Sequence, residues 1–418
     1  MASNELLVGL DVGTTKVCCL VAAPNQNGGL DIRGMGTSRS RGMRKGMVVN
    51  IESTVESIRE AVAEAQGMAG CQINSAYLGV AGGHVSSFNS SGMIGVGKKM
   101  ISEEDISRVY DSALAIATPM DREVLHTVVQ EYKVDDQVGI IDPPLGMTGV
   151  RLEVQVHVIT GAVNAVRNLI NCVMQAGLEV NEIVLESVAS AEAVLTPEDK
   201  ELGVALLDFG GGTTDIAIYS GQRIRHSAVL AMGGNNLTRD LSQSYHISLE
   251  SAEKLKIEHG CCNVNISNDD EFVDIVTPLS ATPLKIQMSN MRQLLCSRID
   301  EIMFLINSEF VRCGYDELIH EVVITGGSSL LRGATEVVKI VLDRPVRLGL
   351  PGQSAHIGGL AEIVSHPSYS TAVGLCLFAL NRGGGGFRNV NFNRNESKSF
   401  FKKIIHSLSS FFSNKNSF

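Results

Sequence analysis

The sequence of 418 residues contains no tryptophan, and aromatic residues make up only 5% of it. It has no C-x-x-C pair, and its nine cysteines are odd in number and include two adjacent doublets, Cys18-Cys19 and Cys261-Cys262. This pattern argues against a paired-cysteine zinc site and against a disulfide framework, and it favours a reducing compartment. The ten histidines show no metal-ligand spacing, so we interpret them as structural or solvent-facing.

Long hydrophobic runs are also missing. No stretch approaches the ~20 apolar residues that a membrane-spanning helix needs. The N-terminal segment MASNELLVGLDVG has an acidic residue and no basic one before its apolar stretch, which argues against a signal peptide. No G-x-x-x-x-G-K-[ST] pattern occurs, so the sequence is not that of a Walker-loop nucleotide-binding protein.

Basic charge is scarce except at the end of the chain. Residues 382–418 hold seven Lys/Arg and one Glu, a net of +6, so the formal charge of −10 leaves −16 on residues 1–381. The same segment holds seven of the thirteen phenylalanines. An acidic body argues against nucleic acid as a partner, because phosphate contacts need clustered basic charge. The basic end favours an anionic surface instead.

Two similar segments organise the rest of the chain. ELLVGLDVGTTKVCCLVAA reads as two apolar strands joined by a Gly/Thr turn, and LGVALLDFGGGTTDIAIYSG repeats this pattern, with Asp208 lying 197 residues after Asp11. STVESIREAVAEAQGMAG predicts a covering helix with Ser53 as its cap. The sequence therefore predicts an α/β fold whose second half repeats the first.

Two insertions interrupt this repeat. From about His84 to Gly161, ISEEDISRVYDSALAIA predicts a helix with a capping box at Ser102, and REVLHTVVQEYKVDD and RLEVQVHVITG alternate like half-exposed strands. Residues from about Ala231 to Met288 form a second candidate insertion. RGGGGFRNVNFNRNESK has the composition of a flexible linker.

The Gly/Thr turns point to phosphate chemistry. They present backbone N–H groups and hydroxyls without bulky side chains, which is what a triphosphate needs. Asp11 and Asp208 cannot bind phosphate directly, but they can hold the hydrated Mg²⁺ that does. A third turn, TGGSSLLRG, follows another buried strand. We therefore predict two facing turns that clamp one nucleotide.

These three turns resemble the phosphate-1, phosphate-2 and adenosine motifs of the actin, Hsp70 and sugar-kinase superfamily. Within it the chain is most similar to the FtsA family of bacterial cell-division proteins. The resemblance covers essentially the whole chain and rests on GLDVGTTKV, LLDFGGGTTDIAIY, VVITGGSSLLRG, YSTAVGL, the insertion after LGVAGG and the basic-aromatic tail. It implies an actin-like two-lobed α/β fold of duplicated ribonuclease-H-like domains, with an inserted subdomain 1C and a C-terminal amphipathic helix.

The resemblance also implies subdomain boundaries. They are 1–83, 162–196 and 360–381 for subdomain 1A, 84–161 for subdomain 1C, 197–228 and 290–359 for subdomain 2A, 229–289 for subdomain 2B, 382–398 for a flexible linker, and 399–414 for a membrane-targeting amphipathic helix.

Carried over residue by residue, the resemblance implies a site for ATP, with Mg²⁺ held through water by Asp11 and Asp208. The cofactor-binding residues would be Asp11, Gly13, Thr14, Thr15, Lys16, Gly210, Gly211, Gly212, Thr213, Thr214, Gly233, Asn235, Glu253, Lys256, Gly326, Gly327 and Ser328. Three of them have a simpler interpretation: Lys16 as an ordinary strand-edge lysine, and Glu253 with Lys256 as a surface ion pair. Asp215 is interpreted as the end of a motif strand and not as a ligand contact.

Hydrolysis of ATP needs a group that orients the attacking water. LESVASAEA matches the stretch that carries a catalytic Glu in the chaperone branch, so Glu186 is the candidate, together with Asp208 at the metal. The Pro that follows this Glu in chaperones is absent here, and the FtsA family does not generally depend on the Glu. We expect weak ATPase activity at most, with ATP acting as a structural and polymerisation switch.

The segment SKSFFKKIIHSLSSFF predicts an amphipathic helix. At ~100° per residue its large apolar side chains fall within an arc of about 140°, and Lys, His and Ser fill the rest. The predicted membrane residues are Phe400, Phe401, Lys402, Lys403, Ile404, Ile405, Leu408, Phe411 and Phe412. The helix spans about 20 Å, less than the ~30 Å hydrocarbon core, so it would lie in the interface. The alternative is docking on the protein's own body or in a partner's groove.

The resemblance implies four kinds of partner: the C-terminal peptide of FtsZ on subdomain 2B, further copies of the chain in a filament, later division proteins through subdomain 1C, and an anionic membrane. It places the protein at the septum, on the cytoplasmic face of the inner membrane. Two other functions stay open. A PilM-like pilus-assembly adaptor would not need the tethered tail, and a small-molecule kinase of the superfamily would need an acceptor pocket with a catalytic Asp.

Overall fold

The computed structural model describes residues 6–115, 119–140, 142–262, 271–275 and 283–384. The strands are β1 (Leu7–Val12), β2 (Lys16–Pro24), β3 (Leu30–Arg39), β4 (Met43–Arg44), β5 (Met47–Val48), β6 (Ser75–Val80), β7 (Ser86–Met100), β8 (Arg122–Val134), β9 (Gln137–Ile140), β10 (Thr148–Ala162), β11 (Glu179–Leu185), β12 (Val204–Phe209), β13 (Thr214–Ser220), β14 (Arg223–Leu230), β15 (Phe272–Ile275), β16 (Leu284–Gln287), β17 (Glu321–Thr325), β18 (Val346–Leu348) and β19 (Ile357–Gly359).

The α-helices are α1 (Ile51–Ala69), α2 (Glu103–Leu114), α3 (Val163–Gln175), α4 (Glu186–Val194), α5 (Pro197–Leu202), α6 (Gly234–Tyr245), α7 (Leu249–His259), α8 (Met288–Cys313), α9 (Ala334–Leu342) and α10 (Ser370–Gly384). Among the residues that the structure describes, no helix combines the length and the apolar character needed to cross a bilayer. The predicted amphipathic helix, 399–414, and all of its membrane residues lie outside the described ranges.

The first sheet has the strand order β11-β6-β1-β2-β3-β19. Together with helices α1, α3, α4 and α10, which share its core, it is called lobe 1. Its central strands β1 and β2 are buried along most of their length because helices cover both faces. On one face Gly36 of β3 lies against Ala61 of α1, and on the other Gly9 of β1 lies against Ala372 of α10. Helix α10 also packs along α4, which follows β11 directly.

The second sheet, called lobe 2 together with α6–α9, has the order β14-β13-β12-β17-β18. Its hairpin β12–β13 pairs Asp208 with Asp215, and the lobe 1 hairpin β1–β2 pairs Asp11 with Cys18. Asp208 and Asp215 each lie 197 residues after their counterparts, Asp11 and Cys18. The predicted structural repeat is confirmed.

The third sheet, here called the inserted sheet, is antiparallel, has the order β7-β10-β8-β9 and packs against α2 over its own apolar core. The predicted capping box is confirmed: the Ser102 side chain caps the backbone of Asp105, whose side chain binds back to Ser102. The cap predicted for α1 is wrong. Asn50 is the N-cap, and its Oδ1 accepts a hydrogen bond from the Ser53 N–H at 2.9 Å.

The inserted sheet contacts lobe 2 through buried polar side chains. The ring of His157 in β10 lies between two strands: its Nδ1 is 2.7 Å from Asn89 Oδ1 in β7, and its Nε2 is 3.0 Å from Ser227 Oγ in β14. Gln130 of β8 donates a hydrogen bond to the Arg225 carbonyl of β14 at 3.1 Å. A histidine with no exposed surface in such a contact is stable only in its neutral form, because charging it there carries a desolvation cost.

Burial lowers the pKa of His157 to about 3, and the neighbouring His226 ring contributes to the decrease. His226 is in turn 2.7 Å from the Glu309 carboxylate of α8, which also binds Arg312 at 2.5 Å. On the lobe 2 side of the contact, the Glu309 carboxylate is thus bound by Arg312 and by the His226 ring, and His157 itself is uncharged.

Acidification is therefore expected to destabilise the fold through His157. The unfolded chain takes up the proton near the ordinary pKa of about 6.5, whereas the folded protein does not, so the free energy of unfolding falls as pH drops from about 6.5 towards 3, by up to ~1.4 kcal/mol per pH unit. Denaturant unfolding at a series of pH values measures this slope. A His157→Gln variant should show a shallower slope than the unmodified protein, and a variant of the exposed His320, His320→Gln, should keep it. Equal slopes in all three proteins would contradict the assignment.

Candidate functional site

Two glycine-containing turns of matching geometry lie at the carboxyl ends of β1 and β12. In the first, the Gly13 N–H donates a hydrogen bond to the Lys16 carbonyl at 3.0 Å, and in the second the Gly210 N–H donates to the Thr213 carbonyl at 3.0 Å. Each turn follows an aspartate by two residues. The same local sequence pattern therefore produces the same tight turn in both lobes.

The two turns face and touch each other. A Cβ built on Gly212 would lie 2.4 Å from Thr14 Oγ1, and one built on Gly211 would lie 2.3 Å from Thr15 Cγ2. Larger residues at these positions would push the lobes apart. The predicted facing arrangement is what the structure contains, and glycine is what allows the close approach.

A cavity of about 590 Å³ lies beside these turns, between the lobes. Most of the sequence-predicted site residues line it. They are Asp11, Gly13, Thr14, Thr15, Lys16, Glu186, Asp208, Gly210, Gly211, Gly212, Thr213, Asn235, Glu253, Lys256, Gly326, Gly327 and Ser328.

Two predicted residues do not line this cavity. The Thr214 hydroxyl is buried and donates a hydrogen bond to the Met232 carbonyl at 2.9 Å. A Cβ on Gly233 would lie 2.6 Å from the Gly210 carbonyl oxygen, so this glycine packs behind the turn, and its neighbour Gly234 reaches the cavity instead. Both predicted positions therefore support the second turn from behind.

Four carboxyl groups surround the cavity: Asp11, Asp208 and Asp215 are buried residues, and Glu186 is half-buried. Burial raises the pKa of Asp11 to about 6, with Lys16 opposing and Asp208 adding to the increase. Burial also raises the pKa of Asp208, against hydrogen bonds from side chains that stabilise its charged form. The pKa values of Glu186 and Asp215 lie well above their ordinary range because both carboxyl groups are desolvated beside other carboxylates. Lys16 offsets only part of the repulsion among these acids, and a bound cation would relieve more of it.

Asp208 is fixed from behind by two hydroxyl groups. Its Oδ2 accepts hydrogen bonds from Ser190 Oγ of α4 at 2.5 Å and from Thr371 Oγ1 of α10 at 3.2 Å. These helices belong to lobe 1, whereas Asp208 belongs to lobe 2. The carboxylate at the end of β12 is therefore held by the opposite lobe.

The residues present fit a hydrated Mg²⁺. Asp215 Oδ1 is buried without a hydrogen-bond partner in a residue that lines the cavity, so it is an acceptor that lacks a donor. Within the described part of the chain, no three His, Cys, Asp or Glu side chains stand close enough to ligate a metal directly. Mg²⁺ usually keeps several of its waters. Carboxylate oxygens that line a cavity can accept hydrogen bonds from these waters without binding the metal directly. Asp215, which the sequence analysis interprets as the end of a motif strand and not as a ligand contact, thus lines the cavity from within strand β13.

Glu253 and Lys256 lie on one face of α7, as their spacing predicts. Lys256 Nζ is 2.7 Å from Glu253 Oε2, and it also donates hydrogen bonds to the Thr238 hydroxyl at 2.9 Å and the Gly234 carbonyl at 3.2 Å. The Lys256 side chain is only 12% exposed. Lys256 is thus built into the cavity wall, whereas the Glu253 side chain is 40% exposed, and the two form the ion pair of the simpler interpretation.

A short segment before α10 completes the cavity and was not singled out from the sequence. His366, Pro367 and Ser368 of this segment line it, as does Thr371 in α10, which belongs to the YSTAVGL motif. A second cavity, of about 690 Å³, adjoins the first at Thr14 and Thr15 and opens between Arg39 and α7. The predicted residues thus mark the inner part of a longer cleft between the lobes.

Comparison with known proteins places the chain in a family. Residues 205–374 match the family described as Cell division protein FtsA, and residues 82–160 match that described as SHS2 domain inserted in FTSA. Cell division protein FtsA of Pseudomonas aeruginosa is 44% identical over 385 residues, covering 92% of this chain and 91% of that protein. The protein of the same name from Escherichia coli K12 is 35% identical over 380 residues, covering 89% and 90%.

Solved structures show the same fold at low identity. The PilM-PilN type IV pilus biogenesis complex matches with a TM-score of 0.64 at 16% identity, over 90% of this chain and 99% of that chain. MreB5 of Spiroplasma citri bound to ADP matches with a TM-score of 0.52 at 15% identity, over 91% and 99%. With two repeated lobes, an inserted sheet and relatives matched over most of their length, the chain belongs to the FtsA family of bacterial cell division proteins and has its actin-like fold.

Proposed function

We propose that this protein binds ATP with Mg²⁺ between its lobes, polymerises at the cytoplasmic face of the inner membrane at the division septum, and tethers FtsZ there. The observation that supports the nucleotide step is the pair of touching glycine turns beside a cavity ringed by carboxyl groups. Backbone N–H groups in such turns are donors for phosphate oxygens. Membership of a cell division family supports the cellular role.

Each lobe would contribute one part of the binding site. The turn that ends in Lys16 and the turn Gly210–Thr213 would hold the β- and γ-phosphates from opposite sides. The turn at Gly326 would pack against the adenosine, with Glu253 and Lys256 at its ribose and base. Asp11 and Asp208 would hold hydrated Mg²⁺, which when bound offsets the phosphate charge. Because both lobes take part, the nucleotide would favour the closed arrangement of the cleft.

We propose that hydrolysis is weak at most. Glu186 lies at the start of α4 and lines the cavity, where it could orient a water. Its pKa is held well above the ordinary value by burial and by three neighbouring carboxylates. The Pro that follows the corresponding Glu in the chaperone branch is absent here, which supports weak activity. ATP would then act as a switch for closure and polymerisation more than as a fuel.

The tethering step rests on the tail predicted from the sequence. One short amphipathic helix binds an anionic surface reversibly, since each Lys near the surface contributes only about 1 kcal/mol. Many copies in a filament would bind firmly through avidity. In this proposal the FtsZ C-terminal peptide docks on subdomain 2B, and subdomain 1C contacts neighbouring subunits or later division proteins.

Co-pelleting with vesicles tests the proposal. FtsZ is mixed with anionic liposomes and ATP, either alone, with the full chain, or with a chain that ends at Glu396. The full chain is expected to raise the amount of FtsZ that pellets at least about fivefold over FtsZ alone, and the truncated chain is not. The reason is that many tails in one filament bind the vesicle together and so bind it more tightly than one tail does. The quantity measured is the fraction of FtsZ in the pellet.

A pair of single substitutions makes the test specific for the amphipathic pattern. Phe401→Asp adds an acid to the predicted apolar face and should abolish pelleting, whereas Ser407→Asp adds the same charge to the polar face and should reduce it less. If the full chain pellets without FtsZ, a membrane-bound adaptor of the PilM kind is favoured. If no version pellets, the tail binds a protein groove and the tether is wrong. ATP turnover stimulated by sugars would favour the small-molecule kinase.

A further inference from the structure

The side-chain ammonium of Lys16 makes its closest contacts with residues outside the turn that contains Lys16. Its ammonium donates a hydrogen bond to the Ser368 carbonyl, which lies 352 residues later in the chain. The same ammonium lies 4.1 Å from the centroid of the Tyr369 ring. A cation over an aromatic face at this distance is attracted by the ring quadrupole. Both contacts come from the short 3-10 helix Pro367–Tyr369.

The 3-10 helix Pro367–Tyr369 is itself held in place by several side-chain contacts. His366 caps the 3-10 helix by accepting the Ser368 N–H, and its Nδ1 lies 2.8 Å from the Ser368 hydroxyl oxygen. The rings of His366 and Tyr369 meet edge to face, with their centroids 6.0 Å apart. Tyr369 also packs against the core of lobe 1, directly before α10. The orientation of the Tyr369 ring relative to Lys16 is therefore fixed by its contacts with His366 and with the core of lobe 1.

The position of the Lys16 ammonium matters because of what surrounds it. Its charge acts on Asp11, Asp208 and Glu186, whose pKa values it lowers against the effect of burial. A lysine free to move would be drawn into an ion pair with one of these carboxylates, and the pair would neutralise the charge that a phosphate needs. The contacts that the Lys16 ammonium makes in the structure are instead with the Ser368 carbonyl and the Tyr369 ring.

We propose that Tyr369 is a positioning residue for Lys16: its aromatic face, with the Ser368 carbonyl, holds the ammonium at the phosphate end of the cleft and away from the carboxylates. The inference rests on the proposed nucleotide site and adds to it a residue outside the three glycine turns. The ring is needed for its face and not for its hydroxyl group, so phenylalanine can replace it and an aliphatic residue cannot.

A double-mutant cycle tests this role. Dissociation constants for ATP, ADP and adenosine are measured by calorimetry for the unmodified protein, Tyr369→Leu, Tyr369→Phe, Lys16→Met and the double variant Lys16→Met/Tyr369→Leu. Tyr369→Leu is expected to weaken ATP and ADP about three- to tenfold, the range of a partly buried cation–aromatic contact. Tyr369→Phe should stay within about twofold of the unmodified protein, and in the Lys16→Met background Tyr369→Leu should have no further effect.

A purely structural role for Tyr369 predicts a different result. In that case Tyr369→Leu would weaken adenosine as much as ATP, and its effect would persist in the Lys16→Met background. Either finding overturns the proposal.

A second measurement does not depend on nucleotide. In the nucleotide-free protein labelled at lysine, the Lys16 ε-methylene resonances are expected upfield through the Tyr369 ring current, identified by their loss in Lys16→Met. The shift should persist in Tyr369→Phe and vanish in Tyr369→Leu. If the unmodified protein binds no nucleotide, the proposed function fails while this spectrum still decides whether the contact exists. An unshifted Lys16 resonance overturns the proposal whatever the binding data show.

Discussion

A Gly374→Ala variant is expected to lose about 3 kcal/mol or more of its free energy of unfolding. Gly374 lies in α10 where this helix crosses α4. A Cβ at this position would lie 1.7 Å from the Ala189 carbonyl oxygen and 2.3 Å from its carbon. These are backbone atoms of a second helix, so no side chain can turn aside, and the two helices must separate. Overpacking usually costs 1–3 kcal/mol, and a backbone-to-backbone clash lies at the upper end of this range.

The measurement is denaturant unfolding, and the matched control is the same substitution in another helix. Gly67 lies in α1, and a Cβ there would meet nothing within 4 Å. Gly67→Ala is therefore expected to raise the free energy of unfolding by up to about 1 kcal/mol, through higher helix propensity. If Gly374→Ala lowers the free energy of unfolding and Gly67→Ala raises it, the loss comes from the close contact between α4 and α10. A small effect of Gly374→Ala would show that these helices are further apart than described.

The second large effect is expected on nucleotide binding. Gly326 opens the third turn with a φ of +84°, and a Cβ there would lie 2.4 Å from Asp208 Oδ1. Gly326→Ala would strain the backbone, because L-residues avoid this region, and it would displace the carboxylate proposed to hold Mg²⁺. The dissociation constant for ATP with Mg²⁺ is expected to rise at least about 100-fold, which corresponds to roughly 2.7 kcal/mol.

The neighbouring glycine provides the comparison. A Cβ on Gly327 would meet only the Ser368 side chain, at 3.6 Å, which is an ordinary contact. Gly327→Ala should therefore keep the dissociation constant within about fivefold, as measured by calorimetry on both variants. Circular dichroism and thermal melting check that both remain folded. Equal losses in the two variants would mean that the turn as a whole, and not the Asp208 contact, is responsible.

Sequence reasoning predicts best what is encoded locally. The hairpins at Asp11 and Asp208 follow from apolar runs broken by Gly and Thr, and the capping box at Ser102 follows from residues three positions apart. The start of α1 shows the limit. Asn50 and Ser53 are both good caps, and the choice depends on the preceding chain, where the Val49 and Asn50 N–H groups both bind the Gly42 carbonyl. No propensity of the helix itself contains that information.

The parts of the site that escaped prediction depend on register or on distant contacts. Asp215 reaches the cavity because the hairpin pairs it with Asp208, and one residue of slip would turn it to the other face of the sheet. The segment that contacts Lys16 lies at the far end of the chain. Nothing near Lys16 in the sequence marks its partner, so only the folded arrangement of lobe 1 brings the two together.

The order of strands in lobe 1 has a consequence for synthesis on the ribosome. Its sheet receives its edge strand from Ile357–Gly359, and its core receives buried side chains from α10, including Leu375 and Phe378. Lobe 2 has all of its sheet once Leu348 has been made. Chains elongate at about 5–20 residues per second, so lobe 2 can fold while lobe 1 still lacks its final helix. The cleft between the lobes therefore assembles last, after α10 has been made.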